Sequence, residues 1–275
     1  MSTDDVPPNG IDTIVLIHGL WLTSLSWEHW VGRYSARGYR VLAPNWPGMD
    51  AGIEELRQHP SAIARLGVAE VADHYDHLIR DLGHPPVIIG HSVGGLVVQI
   101  LLDRGLGAAG VAIDPAPARG LGRPSLPMLR VGLSTLRNPA PAHKAIPLRP
   151  GQFRRMFTNT LSQRHAAEVR ERYYIPGPGR ATRQVSFANF ALDAVTGVDA
   201  DRGRHVPLLL ISSGQDHIFP DTVAKASFKR YRQSKAVTRY KEFPERSHYT
   251  IGEPGWEQVA DYALRWSMEN ALVGR

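Results

Sequence analysis

The stretch Pro86–Gly105, PVIIGHSVGGLVVQILLDRG, constrains this chain more than any other. Val87, Ile88 and Ile89, after paired prolines, have the unbroken apolar character of a strand buried on both faces, and Leu96–Leu102, beyond a glycine pair, reads as a helix packed behind it. Between them lies Gly90-His91-Ser92-Val93-Gly94. A serine in a G-x-S-x-G turn from strand to helix stands exposed at the top of a sheet, and its small neighbours keep side chains from colliding around it. The five residues alone recur by chance in many chains; the strand before and the helix after give them meaning. The plainer alternative is a Gly-rich turn whose serine only caps the helix beginning at Val93.

A chain of 275 residues can bury one large core, or one core with an inserted subdomain. Apolar runs such as Ile14–Ile17 and Leu208–Ile211 are strand-sized, far below the ~18 residues of a membrane span, so no span is expected. The opening MSTDDVPPNG is acidic and polar, opposite to the basic-then-apolar plan of a secretory signal, and a cytoplasmic location is expected. The absence of cysteine excludes disulfides, thiolate ligands and a catalytic thiol.

The net charge of +6 is uneven: Arg119–Gln184 holds thirteen Arg and Lys against Glu168 and Glu171, leaving that segment at +11 and the remainder at −5. Such a segment could draw in an anionic substrate or partner, although a solvated Arg-rich surface is the simpler account. It has no helix-turn-helix, zinc or stacking-aromatic pattern, so a nucleic-acid partner is not expected.

In chain order, Thr13–Ile17 is a buried strand running into His18-Gly19-Leu20-Trp21, a loop placed to offer a backbone N–H to a developing oxyanion. Ser26–Arg37 is a helix with Ser26 as N-cap and Gly38 as its stop, and Tyr39–Ala43 is the next strand. The loop Pro44-Asn45-Trp46-Pro47-Gly48 follows. Val68–Leu82 carries a helical apolar stripe that Gly83 ends. After the elbow comes the strand Gly110–Ile113, closing at Asp114-Pro115. Strands alternating with helices predict a mostly parallel sheet with ligands at the carboxyl ends of its strands, where His18, Ser92 and Asp114 fall.

From about Arg119 to His205 that rhythm breaks. Pro124, Pro127, Pro139, Pro141, Pro147 and Pro150 punctuate the first part, and Phe153–Tyr174 predicts one or more short helices. A disordered linker would not carry Phe153, Met156, Phe157, Tyr173, Tyr174, Phe187 and Phe190, which seek burial, so a mainly helical cap or lid is expected. The core then occupies residues 1–118 and 206–275, with the cap at 119–205. The sheet pattern resumes at Pro207–Ser212, followed by a helix at Pro220–Tyr231, a strand at Val237–Phe243 and a closing helix at Gly255–Asn270.

A serine hydroxyl needs a base to take its proton, and the base needs a carboxylate to orient it. On such a sheet the order is Ser, acid, His, the last two in loops after late strands. Asp216, after PLLLIS, and His248, just before the final helix, occupy those places. With these residues in view, the sequence resembles the α/β-hydrolase superfamily, in particular its serine-esterase-like members with a cap domain. The resemblance spans nearly the whole chain and rests on His18-Gly19-Leu20-Trp21, the loop at 44–48, Gly90–Gly95, Gly214-Gln215-Asp216 and Ser247-His248. It implies an eight-stranded, mostly parallel sheet. It also implies a catalytic triad of Ser92 as nucleophile, His248 as general base and acid, and Asp216 as orienter, with the backbone N–H groups of Leu20 and Val93 as oxyanion hole. Asn45 departs from the family pattern, which often has Asp there.

Other assignments stay open at this level. Asp114 is a rival acid and His217 a rival base, while His18 and His91 fit structural roles. His74 and His77, beside Asp73 and Asp76 on one helix, have a metal-compatible spacing, though a solvated face explains them without a further ligand. Trp21 and Trp46 are candidates for lining an apolar pocket. The expected chemistry is hydrolysis of a small-molecule carboxylic ester through an acyl-enzyme, without cofactor or metal. The same site can run perhydrolase or haloperoxidase-like, hydroxynitrile-lyase or amidase reactions, and the resemblance also reaches receptors that bind a ligand without turning it over.

Overall fold

Six apolar segments lie side by side in one sheet, every neighbouring pair parallel, in the order β2-β1-β3-β4-β5-β6. They are β1 (Thr13–Ile17), β2 (Arg40–Leu42), β3 (Val87–His91), β4 (Ala109–Ile113), β5 (Leu208–Ser213) and β6 (Thr238–Phe243). This computed structural model describes residues 10–119, 126–136, 144–188, 197–198, 206–233 and 236–272. The expected eight strands are therefore six among the described residues, where only residues 10–12 precede β1. β1, β3, β4 and β5 are buried along their whole length, as unbroken apolar runs demand, whereas β2 and β6 at the edges are partly exposed.

The chain leaves β1 toward β2 on one side and returns to pair β3 on the other, with Ile17 opposite Gly90. That reversal of direction is where an open parallel sheet forms its ligand crevice, and it sets the loop after β1 beside the turn after β3. The helices outside the segment between β4 and β5 are α1 (Glu28–Ser35), α2 (Ile53–Gln58), α3 (Val68–Arg80), α4 (Val93–Asp103), α9 (Asp221–Tyr231) and α10 (Trp256–Asn270). Gly38 and Gly83, both at positive φ, follow α1 and α3 as the sequence predicts. Ser26 is not the cap of α1. Its hydroxyl donates to the carbonyl of Thr23 within a 3-10 turn, and the α-helix begins two residues later without a side-chain cap.

Between β4 and β5 stand α5 (Leu126–Leu136), α6 (Pro150–Phe157), α7 (Gln163–Tyr173) and α8 (Gly179–Ser186), with a lone antiparallel bridge from Ile146 to Gly177. Phe153, Met156, Phe157, Tyr173 and Tyr174 are buried. The expectations for Pro124, Pro139, Pro141 and Phe190 concern positions outside the described residues. No helix among the described residues is long and apolar enough to cross a membrane.

The tightest packing lies where β3 turns into α4. A Cβ on Gly94 would stand 2.1 Å from the carbonyl oxygen of Ile17, and one on Gly90 would stand 2.2 Å from that of Gly94. Both obstacles are backbone and cannot step aside. Gly94→Ala is therefore expected to cost about 3 kcal/mol or more, above the usual overpacking range. Urea unfolding monitored by circular dichroism measures this, and a loss below 1 kcal/mol would contradict the packing described.

Candidate active site

Ser92, between β3 and α4, has φ 59° and ψ −119°, a conformation that L-residues rarely adopt. Its side chain makes no capping hydrogen bond to the helix, so it is not simply an N-cap. The backbone around it is fully engaged: its N–H donates to the Ile113 carbonyl at 2.9 Å, and its carbonyl accepts from Gly95 at 3.0 Å, Leu96 at 3.2 Å and Ala116 at 3.0 Å. These bonds hold a strained turn that would otherwise relax. The loop after β1 passes against the hydroxyl because Gly19 lacks a side chain: its Cβ would lie 2.7 Å from Ser92 Cβ and 3.3 Å from Oγ. Next to these residues, the N–H groups of Leu20 and Val93 donate no hydrogen bond to any group among the described residues.

His18 shapes that loop rather than facing a ligand. Its Nδ1 lies 3.0 Å from the carbonyl of Gly19, its Nε2 accepts from the N–H of Trp46 at 3.3 Å, and its ring stacks on that indole at 4.8 Å. Burial lowers the His18 imidazolium to about 4, so the ring stays neutral. Asn45, where the family often has Asp, accepts from the N–H of Ser24 at 3.0 Å and so ties together the two loops flanking Trp46.

His248 is wholly buried in the loop between β6 and α10. Its Nδ1 donates to Asp216 Oδ2 at 2.6 Å, and the other oxygen of Asp216 accepts from the N–H groups of Ile218 at 2.6 Å and Phe219 at 3.0 Å. His248 Nε2 has no hydrogen-bond partner. The rings of Phe157 and Phe219 stand edge-on to the imidazole at 5.1 and 5.7 Å, and burial lowers its imidazolium to about 3. Burial also pushes the Asp216 carboxyl up, opposed by the two backbone donors. Whatever the balance, the shared proton lies between Nδ1 and the carboxylate, leaving Nε2 as a bare lone pair.

The rival residues are engaged elsewhere. Asp114 accepts from the N–H of Ser213 at 2.6 Å and from its hydroxyl at 2.7 Å. Burial raises its carboxyl, and the negative charge of Asp216 adds to the rise. His217 is exposed and donates through Nδ1 to the carbonyl of Arg155 at 3.1 Å. Near His74 and His77, Asp73 pairs with Arg104, and Asp76 pairs with both Arg80 and Arg104. Ligand atoms of His91, Asp114 and His248 lie within 4.8 Å of one another, but both Asp114 oxygens already accept from Ser213. The two candidate pocket residues are buried. Trp46 packs on His18, while Trp21, at φ 64°, donates from its indole to the carbonyl of Ile146 at 2.9 Å and lies 6.1 Å from Phe157.

Two supports of His248 escape sequence inspection, one because its partner lies 157 residues away and the other because no local motif marks it. The Nε2–H of His91, directly before Ser92, donates to the backbone carbonyl of His248 at 2.7 Å. Buried Glu253 accepts from the N–H of Ser247 at 3.0 Å and, through its second oxygen, from the hydroxyls of Ser247 and Thr160, both at 2.7 Å. One carboxylate thus ties the loop carrying His248 to the segment between β4 and β5.

A family model described as the alpha/beta hydrolase family matches residues 14–262. Among solved structures, a monoacylglycerol lipase from Paleococcus ferrophilus is similar at TM-score 0.69 and 22% identity, over 94% of this chain and 95% of that one. An extracellular alpha/beta-hydrolase from a Paenibacillus species is similar at 0.65 and 20%, over 92% and 98%. A methylesterase, MES16, from Arabidopsis is similar at 0.65 and 14%, over 93% and 98%. At such identities the likeness is one of fold. No curated protein sequence matches the chain.

Replacing Glu253 by Ala strands the Ser247 N–H and two hydroxyls without their acceptor. Leaving buried donors unpaired costs about 1–3 kcal/mol each, reduced where water enters, so a total loss of about 2–4 kcal/mol is expected. Chemical denaturation of this variant checks the value, and unchanged stability would show that the clamp carries no load.

Proposed function

The chain belongs to the α/β-hydrolase family, and from that premise we propose that it is a serine hydrolase cleaving carboxylic esters of small or medium apolar substrates. The observation that carries the proposal is the 2.6 Å bond from His248 Nδ1 to Asp216, which leaves Nε2 unpartnered and the ring neutral. In this scheme Nε2 takes the proton of Ser92 as Oγ attacks the ester carbonyl, and the resulting oxyanion receives the N–H groups of Leu20 and Val93. The same proton passes to the departing alcohol. Water, deprotonated by Nε2, then attacks the acyl-Ser92, and collapse of the second tetrahedral species returns the proton to Oγ and releases the acid. The imidazolium formed in each half-reaction is stabilised by the adjacent Asp216, which fixes the tautomer and stays ionised. The strained turn at Ser92 holds the nucleophile ready, and no metal or cofactor takes part. The segment at 119–205 acts as the cap over the strand ends, and the core is completed by 1–118 and 206–275.

Ser92→Ala is expected to abolish acyl-enzyme formation with p-nitrophenyl butyrate and labelling by a fluorophosphonate, leaving at most the ~10³–10⁴ acceleration of the remaining site. Turnover by that variant at the wild-type rate would reject the assignment. Parallel assays with hydrogen peroxide, a cyanohydrin and an anilide separate ester hydrolysis from the other reactions this site can run. Tight ligand binding with neither turnover nor labelling would instead mark a receptor.

The base must be neutral to act, so kcat/KM should be high at neutral pH and fall on acidification through the His248 ionisation. Because burial lowers that ionisation, the midpoint is expected below the ordinary imidazole value of about 6.5. A pH profile of kcat/KM with its midpoint above 7 would contradict this.

A further inference from the structure

Ser92, Leu20, Val93 and His248 are all buried, and the segment joining β4 to β5, the cap of the scheme above, reaches them through Trp21 and Phe157. Trp21 directly follows Leu20, and its φ of 64° is one that a bulky residue holds only where its surroundings fix it. Those surroundings belong to the cap. The indole N–H donates to the carbonyl of Ile146 at 2.9 Å, and the Trp21 carbonyl accepts from the N–H of Ile175 at 3.0 Å. Ile146 and Gly177 form the antiparallel bridge of the cap, each N–H donating to the other's carbonyl at 2.7 and 3.0 Å, so both anchors of Trp21 sit on one bonded pair of segments. Gly177 also lies against the indole, where a Cβ would stand 2.8 Å from Nε1. Burial alone does not bring such pairing: Trp27 and Trp46 are as deeply buried, and their indole N–H groups have no partner among the described residues.

The Leu20 N–H shares one peptide plane with the Gly19 carbonyl. On one side of that plane His18 Nδ1 holds the carbonyl at 3.0 Å, and on the other the chain passes straight into Trp21. We propose that Trp21 is a positioning residue: docked on Ile146 and Ile175, it fixes the direction of the Leu20 N–H, so that the oxyanion hole is complete only while the cap is seated. This rests on the ester-hydrolase reading above, with Leu20 as a donor. An oxyanion donor acts through a preset direction, and removing one costs roughly 10²–10³ in kcat, so a donor left free to swing loses part of that. Trp21 also stands edge-on to Phe157 at 6.1 Å, and Phe157 stands edge-on to His248 at 5.1 Å, so the seating of the cap reaches donor and base together.

The test uses two variants that loosen the contact from opposite sides. Trp21→Phe removes the indole N–H while the Ile146 carbonyl keeps its bond from Gly177, so the protein should fold, as circular dichroism melting reports. Gly177→Ala displaces the indole from the cap side and leaves the loop after β1 unaltered. Each should lower kcat for p-nitrophenyl butyrate about tenfold or more while changing KM by less than about threefold, the pattern of an interaction made in the transition state. Butyl trifluoromethyl ketone supplies a readout that a merely structural role would not move. Ser92 Oγ adds to its carbonyl carbon, the proton passes to His248, and the ketone oxygen becomes an oxyanion in the hole, so its affinity should fall by the same factor as kcat/KM. Unchanged kcat in both variants, or a loss confined to KM, would overturn the proposal, the latter making Trp21 a pocket wall. Amide exchange separates this failure from failure of the esterase reading: the Ile175 amide, whose acceptor is the Trp21 carbonyl, should exchange about tenfold faster in Trp21→Phe. Faster exchange with weakened ketone binding would support the proposal even if no ester were turned over. Unchanged exchange at Ile175 would overturn it while leaving ester hydrolysis intact.

Discussion

The contact on which the rest of this molecule depends is the backbone-to-backbone approach of α4 to the ends of β1 and β3. Gly94 fits against the carbonyls of Ile17 and His18, and Gly90 lies beneath Gly94, at separations that a single methyl group would forbid. This approach forces the connecting residue into a left-handed conformation, and Ser92 is that residue. The strain, of order 1–3 kcal/mol, is held by the surrounding hydrogen bonds and by a helix buried along nearly its whole length. The same approach brings Gly19 against Ser92 and leaves the N–H groups of Leu20 and Val93 without acceptors among the described residues. A serine held at positive φ and two backbone donors without acceptors among the described residues are thus two consequences of one steric fact.

The second requirement is a neutral imidazole, and here the solvent-excluding packing decides. His18, His91 and His248 are all fully buried, and in each burial lowers the charged form. The ring nitrogens of His91 and His248 that donate do so to a backbone carbonyl or a carboxylate, which fixes their tautomers. His91 and His248 also lie ring against ring at 4.6 Å, where two positive charges would repel. The loop bearing His248 is held from several directions: by His91 from the elbow, by Glu253 from its own far side, and by the Phe157 carbonyl, which accepts from the N–H of Tyr249 at 2.9 Å. Two of the groups holding or lining the imidazole, Phe157 and Thr160, belong to the segment between β4 and β5, so that segment is part of the histidine's environment and not an appendage.

What the sequence made legible follows from which forces are local. Strands buried on both faces appear as unbroken apolar runs, and helices stopped by a glycine at positive φ end near Gly38 and Gly83, so the strands and these helices were readable to within two or three residues, whereas α2, α5 and α8 were not read. Ser26 misled because a hydroxyl has competing acceptors, and a carbonyl three residues back proved nearer than the helix. The sequence favoured Asp216 as the acid by its place in the chain order and kept Asp114 as a rival, since both follow strands. The bonds that distinguish them run to Ser213 and to His248, the first ninety-nine residues from Asp114 and the second thirty-two from Asp216. The role of His91 had no local signature for the same reason, and Glu253 reaches Ser247 only six residues away but Thr160 ninety-three. The number of strands came from a family likeness and not from residues, and there six stand among the described residues where eight were implied.

The uneven charge of the chain finds its counterpart at the junction of its parts. Arg172 and Tyr173 meet Glu28 on α1, Arg180 meets Glu70 on α3, and in the opposite sense Arg57 of α2 meets Glu171. Two of the thirteen basic residues of the segment Arg119–Gln184 thus face acids on the core. Such pairs are partly exposed and contribute about 0.2–1 kcal/mol apiece, too little to hold four helices in place. Holding falls to the buried ring of Phe153, stacked on Phe157 and edge-on to Tyr174 within 6 Å, and to Trp21, whose indole and carbonyl bond to Ile146 and Ile175.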